Sequence, residues 1–296
     1  MSYKMELANK TKYAVKLLSV SFPVLLCACN GRSDSFTLDN PTTKPVQVQI
    51  DDKSYTVPPY DFVALSLPAG QHSISSERIG KVKFALCPSK NTVVINPTLS
   101  DYVVVSAYYV KEGTNFTDDE KNLSTVTLDG ENWRGHYQQI HDLFIFPSWH
   151  FDAHTPFPES YRSDSKVDIK VKLFTANDFI HYVEQATQTG GEFTKAHPQG
   201  YVAPASYRVE TDKPLMQLAP EYQSAAKALY DLYPKRWAVK SSDECEALQK
   251  ASFEEYRKFD TQTYKVKYAS QQDVKDVLDF SSQVRSHDFK DVVIVP

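Results

Sequence analysis

Glycine is scarce in this chain, nine residues in 296, and the scarcity excludes several chemistries together. Phosphate-cradling loops, dinucleotide fingerprints and Gly-x-Ser-x-Gly elbows need glycine where the backbone turns sharply or approaches a ligand. None of these patterns is present. His-Glu-x-x-His and paired Cys-x-x-Cys are missing as well, and with them the specific zinc spacings. No apolar run approaches the roughly 20 residues that cross hydrocarbon as a helix. Basic excess is also lacking. Lys and Arg number 33 against 37 Asp and Glu, a formal charge of -4, which argues against nucleic acid or anionic lipid as the main partner.

What is present starts at the N-terminus. Lys4, Lys10, Lys12 and Lys16 precede an apolar stretch from Leu17 to Leu26, interrupted by Pro23, with Ala28 as the small residue at a cleavage site. Leu26-Cys27-Ala28-Cys29 resembles the lipobox of bacterial lipoproteins. Cys27 as acceptor would put bulky Leu26 at the cleavage position, so Cys29 is the better match. The resemblance implies a signal peptide over 1–28, acyl chains on Cys29, a short tether over 29–35 and attachment to a membrane through the lipid. Several chains hold stably, because each buried methylene contributes about 0.8 kcal/mol. Asn30 stands where Asp would mark inner-membrane retention, which implies the bacterial outer membrane. Residues 1–28 carry four Lys and one Glu, so the remaining 268 residues have a formal charge of -7.

With Cys27 removed and Cys29 acylated, Cys87 and Cys245 remain of the four cysteines. An exported compartment permits a disulfide between them. Cys245 also lies where a helix would place an apolar residue, and a buried thiol packs as a small hydrophobe. Both readings stand at this level.

From Phe36 to about Val110 the sequence alternates. Val46, Val48 and Ile50 share a face, as do Val82, Phe84 and Leu86, then Val103, Val105, Ala107 and Tyr109. Turn residues separate the runs at Asp51-Asp52-Lys53, Pro58-Pro59, Pro68-Ala69-Gly70 and Ser89-Lys90-Asn91. The pattern predicts an N-terminal antiparallel β-sandwich over 36–112. Asn-Pro-Thr occurs twice, at Asn40 and Asn96, where Asn closes an Asx turn and Pro directs it away from helix. Val46 to Ser75, ending in Leu67-Pro68-Ala69-Gly70-Gln71-His72-Ser73-Ile74, resembles the PEGA-type modules of bacterial surface proteins. That resemblance implies a β-sandwich spacer or binding module with no catalytic residues; the usual turn glycine is missing at Asp51 to Lys53.

Residues 113–296 read as a mixed β/helical domain, the whole being α+β. Thr125 to Leu128 and Val167 to Leu173 predict strands, and Thr175-Ala176-Asn177-Asp178 opens a helix carrying Phe179, Tyr182 and Val183. About three amphipathic helices follow, starting at Pro220, at Ser241-Ser242-Asp243-Glu244 and at Ser270-Gln271-Gln272-Asp273.

The densest chemical constellation is Gly135 to Pro158, with His136, His141, Asp142, His150, Asp152 and His154. An extended Trp149 to Thr155 would put His150, Asp152 and His154 on one face, but about 7 Å apart per two residues, too far for one ion without a bend and a further ligand such as His136 or His141. Its aromatics and prolines also suit a packed loop whose histidines bond to backbone. Tyrosine numbers eighteen; Tyr60 and Tyr108 are the candidates for exposed contact with a partner. The reading is a lipid-anchored envelope protein, not an enzyme, that binds or tethers a protein, glycan or envelope component, without cofactor beyond the lipid and without nucleic acid. Metal binding through His136 to His154 and an inhibitor or immunity role are the alternatives.

Overall fold

The computed structural model describes residues 33–87, 92–117, 123–187, 191–264, 270–288 and 290–295. The signal-like segment, Cys29 and the turn at Ser89 to Asn91 lie outside them. Strands and helices segregate along the chain, as in α+β proteins.

Two sheets share the largest core. One has the order β12 (Phe144–Ile145), β7 (Val93–Ile95), β1 (Ser33–Asn40), β4 (Asp61–Pro68). The other runs β14 (Val292–Ile294), β6 (Gly80–Leu86), β5 (Gly70–Ser76), β2 (Val46–Ile50), β3 (Lys53–Val57), antiparallel throughout. Because strand side chains alternate, Phe36 and Leu38 turn to one side together with Val93 and Ile95. There they join Val48, Ile50, Val57, Ile74, Phe84 and Leu86. Each such fully buried side chain contributes about 1.5–3 kcal/mol.

The antiparallel expectation fails within the first sheet: β1 and β7 run parallel, Phe36 opposite Val93 and Leu38 opposite Ile95. Between them the chain sets β4 on the other edge of β1 and builds four strands of the second sheet. Parallel neighbours need such a long crossover.

A third sheet has the order β11 (Tyr137–Ile140), β8 (Tyr102–Val110), β13 (Val167–Thr175). In β8, Val103 and Val105 pack with Phe179, Ile180 and Val183 of α1 (Ala176–Thr187), while Tyr102 and Val104 pack with Val94, Ile145 and Leu173. Both faces are covered, hence the unbroken burial from Tyr102 to Val105. A hairpin of β9 (Ser124–Leu128) and β10 (Glu131–Gly135) closes one side of the α1 core through Val126, Leu128 and Trp133.

Further helices are α2 (Glu192–Ala196), α3 (Pro220–Leu232), α4 (Ser242–Tyr264) and α5 (Gln271–Asp288), with a 3-10 segment at Tyr233–Ala238. Their starts follow local chemistry. Ser270 Oγ accepts from Asp273 N (3.1 Å) while Asp273 Oδ2 accepts from Ser270 N (2.8 Å), a reciprocal capping box. Tyr222, Ala226 and Leu229 of α3 meet Phe259 of α4 and Val277, Phe280 and Val284 of α5. Among the described residues no helix is long and apolar enough to cross a membrane.

The boundary expected between 112 and 113 is not a break in packing. Residues 31–296 form one compact unit. β12 and β14 lie beyond that boundary, yet complete the two N-terminal sheets. Cys87 and Cys245 form a disulfide across it, their Cα atoms 5.5 Å apart. Alternation and turn residues record local conformation; a partner strand 200 residues away leaves no local mark.

Candidate functional site

The two Asn-Pro-Thr copies are buried junctions at neighbouring strand ends. Asn40, fully buried, donates from Nδ2 to the carbonyls of Lys44 (2.8 Å), Val57 (3.1 Å) and Pro58 (2.9 Å), and its Oδ1 accepts from Thr42 N and Thr42 Oγ1. Asn96, equally buried, donates to Ser100 O (2.8 Å) and Asp142 O (3.3 Å) and accepts from Ser100 N and Thr98 Oγ1. Only a primary amide supplies donors and an acceptor at once in so little space. The first junction fixes Asp39 and the second fixes Tyr102.

Asp39 is the centre of the site. Its carboxylate, 1% exposed, accepts from Tyr102 Oη at Oδ2 (2.5 Å) and, at Oδ1, from His154 Nε2 (2.8 Å) and Asn40 N (2.9 Å). The bond to Asp39 raises the His154 pKa over the opposing effect of burial, with Asp152 and Asp61 adding to it. Burial, reinforced by Asp39, holds the Tyr102 hydroxyl well above the ordinary tyrosine range.

Strand geometry explains what surrounds it. Phe36 and Leu38 point into the core, so Thr37 and Asp39 face outwards. Phe62 of β4 stands opposite Asp39, and Val94 of β7 opposite Thr37. Thr37, Asp39, Phe62, Thr92 and Val94 therefore form the floor of a cavity of about 320 Å³, whose walls come from Pro147, Trp149, His150 and Asp152 to Thr155. Phe62, 40% exposed, lies 4.6 Å from the His154 ring, centroid to centroid.

The wall is a turn, not the extended strand that a one-face ligand set would need. Asp152 Oδ1 accepts from His154 N (3.0 Å), Thr155 N (2.8 Å) and Thr155 Oγ1 (2.7 Å). His150 Nδ1 accepts from Val171 N (3.0 Å), leaving the proton of the neutral ring on Nε2. Beneath the turn, Lys172 is 3% exposed and donates from Nζ to the carbonyls of Asp152 and of Ala153 (3.0 Å). Burial brings its pKa down to about 8 against the pull of Asp152 and Asp178.

The five expected metal ligands thus divide. His150, Asp152 and His154 share the cavity but bind backbone or Asp39. His136 sits edge-on to Tyr108 (5.0 Å), and His141 stacks on Tyr207 (3.9 Å). Among the described residues no group of three His, Cys, Asp or Glu is placed to hold an ion. Of the aromatic candidates, Tyr60 is 56% exposed in the turn before β4, and Tyr108 is half-buried against Phe116 and His136.

Sequence reasoning missed Asp39, Tyr102 and Lys172 as members of one site. Asp39 and His154 are 115 residues apart, and only the outward alternation of Thr37 and Asp39 hinted at a polar sheet face. A second buried carboxylate, Asp101, escaped it too. Asp101 accepts from Gln139 Nε2 (2.8 Å), Tyr201 Oη and Tyr207 Oη (3.4 Å), a closed structural cluster.

The PEGA-like segment has its own internal logic. His72 lies between Asp51 Oδ2 (2.7 Å) and Pro68 O (2.8 Å), while Asp51 Oδ1 accepts from Ser73 N (2.8 Å). Asp51 itself takes the left-handed conformation (φ 50°), which Asp tolerates better than most residues. Gly70 (φ 134°) runs within 3.3 Å of Lys240 O, counted from where a Cβ would sit, so glycine is required there. No family model matches this chain, and no curated protein or solved structure matches it either.

Proposed function

We propose that this chain is a lipid-anchored protein of the bacterial outer membrane whose folded part binds or tethers a protein, glycan or other envelope component without catalysing a reaction. The observation that carries the reading is the state of the acids and bases around the cavity. Asp39 accepts three hydrogen bonds, Asp152 Oδ1 accepts three, and Lys172 holds two backbone carbonyls. A general acid or base has to exchange protons with substrate; Asp39, Lys172 and Asp152 Oδ1 are instead engaged in holding a turn in place.

Other features support the same reading. The lipobox-like Leu26-Cys27-Ala28-Cys29 supplies an address, and a disulfide between Cys87 and Cys245 suits an exported protein, because reducing compartments keep thiols apart. The shared core of the two N-terminal sheets is compatible with a β-sandwich of the PEGA kind, a spacer or binding module.

Expression in a Gram-negative host tests the address. Mass spectrometry of the N-terminal peptide is expected to find an acylated Cys29, and Cys29→Ser to release the protein from the membrane fraction. Cross-linking in cells followed by purification is expected to recover one dominant envelope partner. Turnover of an envelope polymer by the pure protein, abolished by one side-chain change, would overturn the non-catalytic reading.

A further inference from the structure

The cavity over the outer face of the first sheet has a more specific chemistry than general adhesion requires. Its lining contains two aromatic side chains, Phe62 and Trp149, and three threonines, Thr37, Thr92 and Thr155. Four side-chain polar atoms of its walls, Trp149 Nε1, His150 Nε2, Asp152 Oδ2 and His154 Nδ1, make no hydrogen bond among the described residues. A ligand here meets flat apolar surface and several hydrogen-bonding groups side by side.

Charge narrows the class. Among the described residues no Lys or Arg lines the cavity, while Asp39, Asp152 and the nearby Asp61 repel an anion. The negative charge is also partly offset by cations already in the structure. Asp39 already holds His154 (2.8 Å), and Asp152 acts on Lys172 beneath the turn. The balanced site favours a neutral molecule rich in hydroxyls and carrying one apolar face. A sugar ring has this form: C–H groups on one face lie against an aromatic, and equatorial hydroxyls reach carboxylate and imidazole in the ring plane. At about 320 Å³ the cavity falls in the range of small-molecule sites, about 300–1,000 Å³.

We propose that the cavity formed by Thr37, Asp39, Phe62, Trp149, Asp152 and His154 is a binding site for a neutral saccharide. The inference rests on the reading of the protein as a binding module and names its ligand class; it does not depend on the lipid at Cys29. Phe62 supplies the stacking surface, Asp152 Oδ2 and His154 Nδ1 take hydroxyl groups, and Lys172 and Asp39 hold the turn that presents them.

The test titrates the full chain with four neutral tetrasaccharides, namely cellotetraose, maltotetraose, mannotetraose and the β-1,4-linked tetramer of N-acetylglucosamine. Spermidine and glucose 6-phosphate serve as cationic and anionic probes. Binding is read by saturation-transfer NMR and calorimetry. At least one tetrasaccharide is expected to bind, with Kd raised tenfold or more by Phe62→Ala and by Asp152→Asn. Asn keeps an oxygen for the three Oδ1 bonds, and Phe62 is exposed, so both variants are expected to unfold within a few degrees of the parent. Failure of all four sugars to bind overturns the proposal. So does binding indifferent to both variants, or tighter binding of spermidine or the sugar phosphate at this cavity. Protein made in the Gram-negative host without an acyl group on Cys29 would sink the membrane address whatever it binds, and failure of the sugars would leave that address standing, so the two failures are separable.

Discussion

Asn40 shows how much a single side chain can hold. Its amide reaches three backbone carbonyls and two groups of Thr42 from a fully buried position. Asn40→Ala takes the amide donor away from all three carbonyls, and the expected loss is about 2–4 kcal/mol in urea unfolding. Asn40→Asp is expected to be worse despite matching in shape, since a carboxylate donates nothing and would lie beside buried Asp39; equal losses would refute the donor argument. At His154 and Lys172 the expectation concerns pH. The folded pKa of His154 lies above its unfolded value, so its contribution is complete below about pH 6.5 and disappears as pH rises through the folded pKa. Lys172 has the opposite sign. Its folded pKa of about 8 lies below the unfolded value near 10.4, so the cost of its buried charge is fully present below about pH 8 and is relieved as pH climbs towards 10.4. Urea midpoints from pH 5.5 to 10 check both. Relative to wild type, His154→Gln removes a falling limb and Lys172→Met a rising one, and differences independent of pH would refute the assignments.

At the scale of elements, local signals were the readable ones. Thr175, Ser241 and Ser270 each accept from a backbone N–H three residues on, at Asp178, Glu244 and Asp273, where the sequence places helix starts. Capping depends on four consecutive residues, so it is written in four consecutive letters. The alternation of Val46, Val48 and Ile50 was equally legible, whereas the two-residue β12 and five-residue α2 are too short to carry a period. The cavity was legible only in part. Trp149 to Thr155 stood out by composition, but its bend comes from Asp152 capping and from Lys172, and its partner Asp39 belongs to a distant strand. The Cys87–Cys245 link joins the end of β6 to the first turn of α4 across 158 residues of chain. A closed loop of that length contributes about 5 kcal/mol in the chain-entropy treatment. Reduction, or the pair Cys87→Ala with Cys245→Ala, is expected to lower the unfolding free energy by several kcal/mol with secondary structure intact below the transition. A change under about 1 kcal/mol would mean that the native packing near Val239 and Ala85 relaxes to compensate.

The whole molecule poses a question that no element answers alone, whether the β-rich first part unfolds separately from the rest. Sequence periodicity suggests that it does, with a boundary at 112/113. Long-range packing argues otherwise. The core of the two N-terminal sheets includes Leu143, Phe144 and Val292, and Tyr207 and Val209 lie against it. β14 supplies the outer strand to β6, with Val292 and Val293 almost fully buried, each contributing about 1.5–3 kcal/mol. Arg236 donates to the carbonyls of His287 and Lys290, and Asp212 accepts from Ile294 N (2.7 Å) and Lys290 Nζ (2.7 Å), which fix the approach to that last strand. Elements that share a core lose it together, so calorimetry is expected to show one transition with matching calorimetric and van't Hoff enthalpies. Ending the chain after Asp291 uncovers the edge of β6 and removes apolar contacts from both sheets. That variant is expected to lose about 3–6 kcal/mol and to aggregate through the exposed edge. Two resolved transitions in the intact chain, with the truncation shifting only one, would restore the boundary and make 36–112 an independent unit.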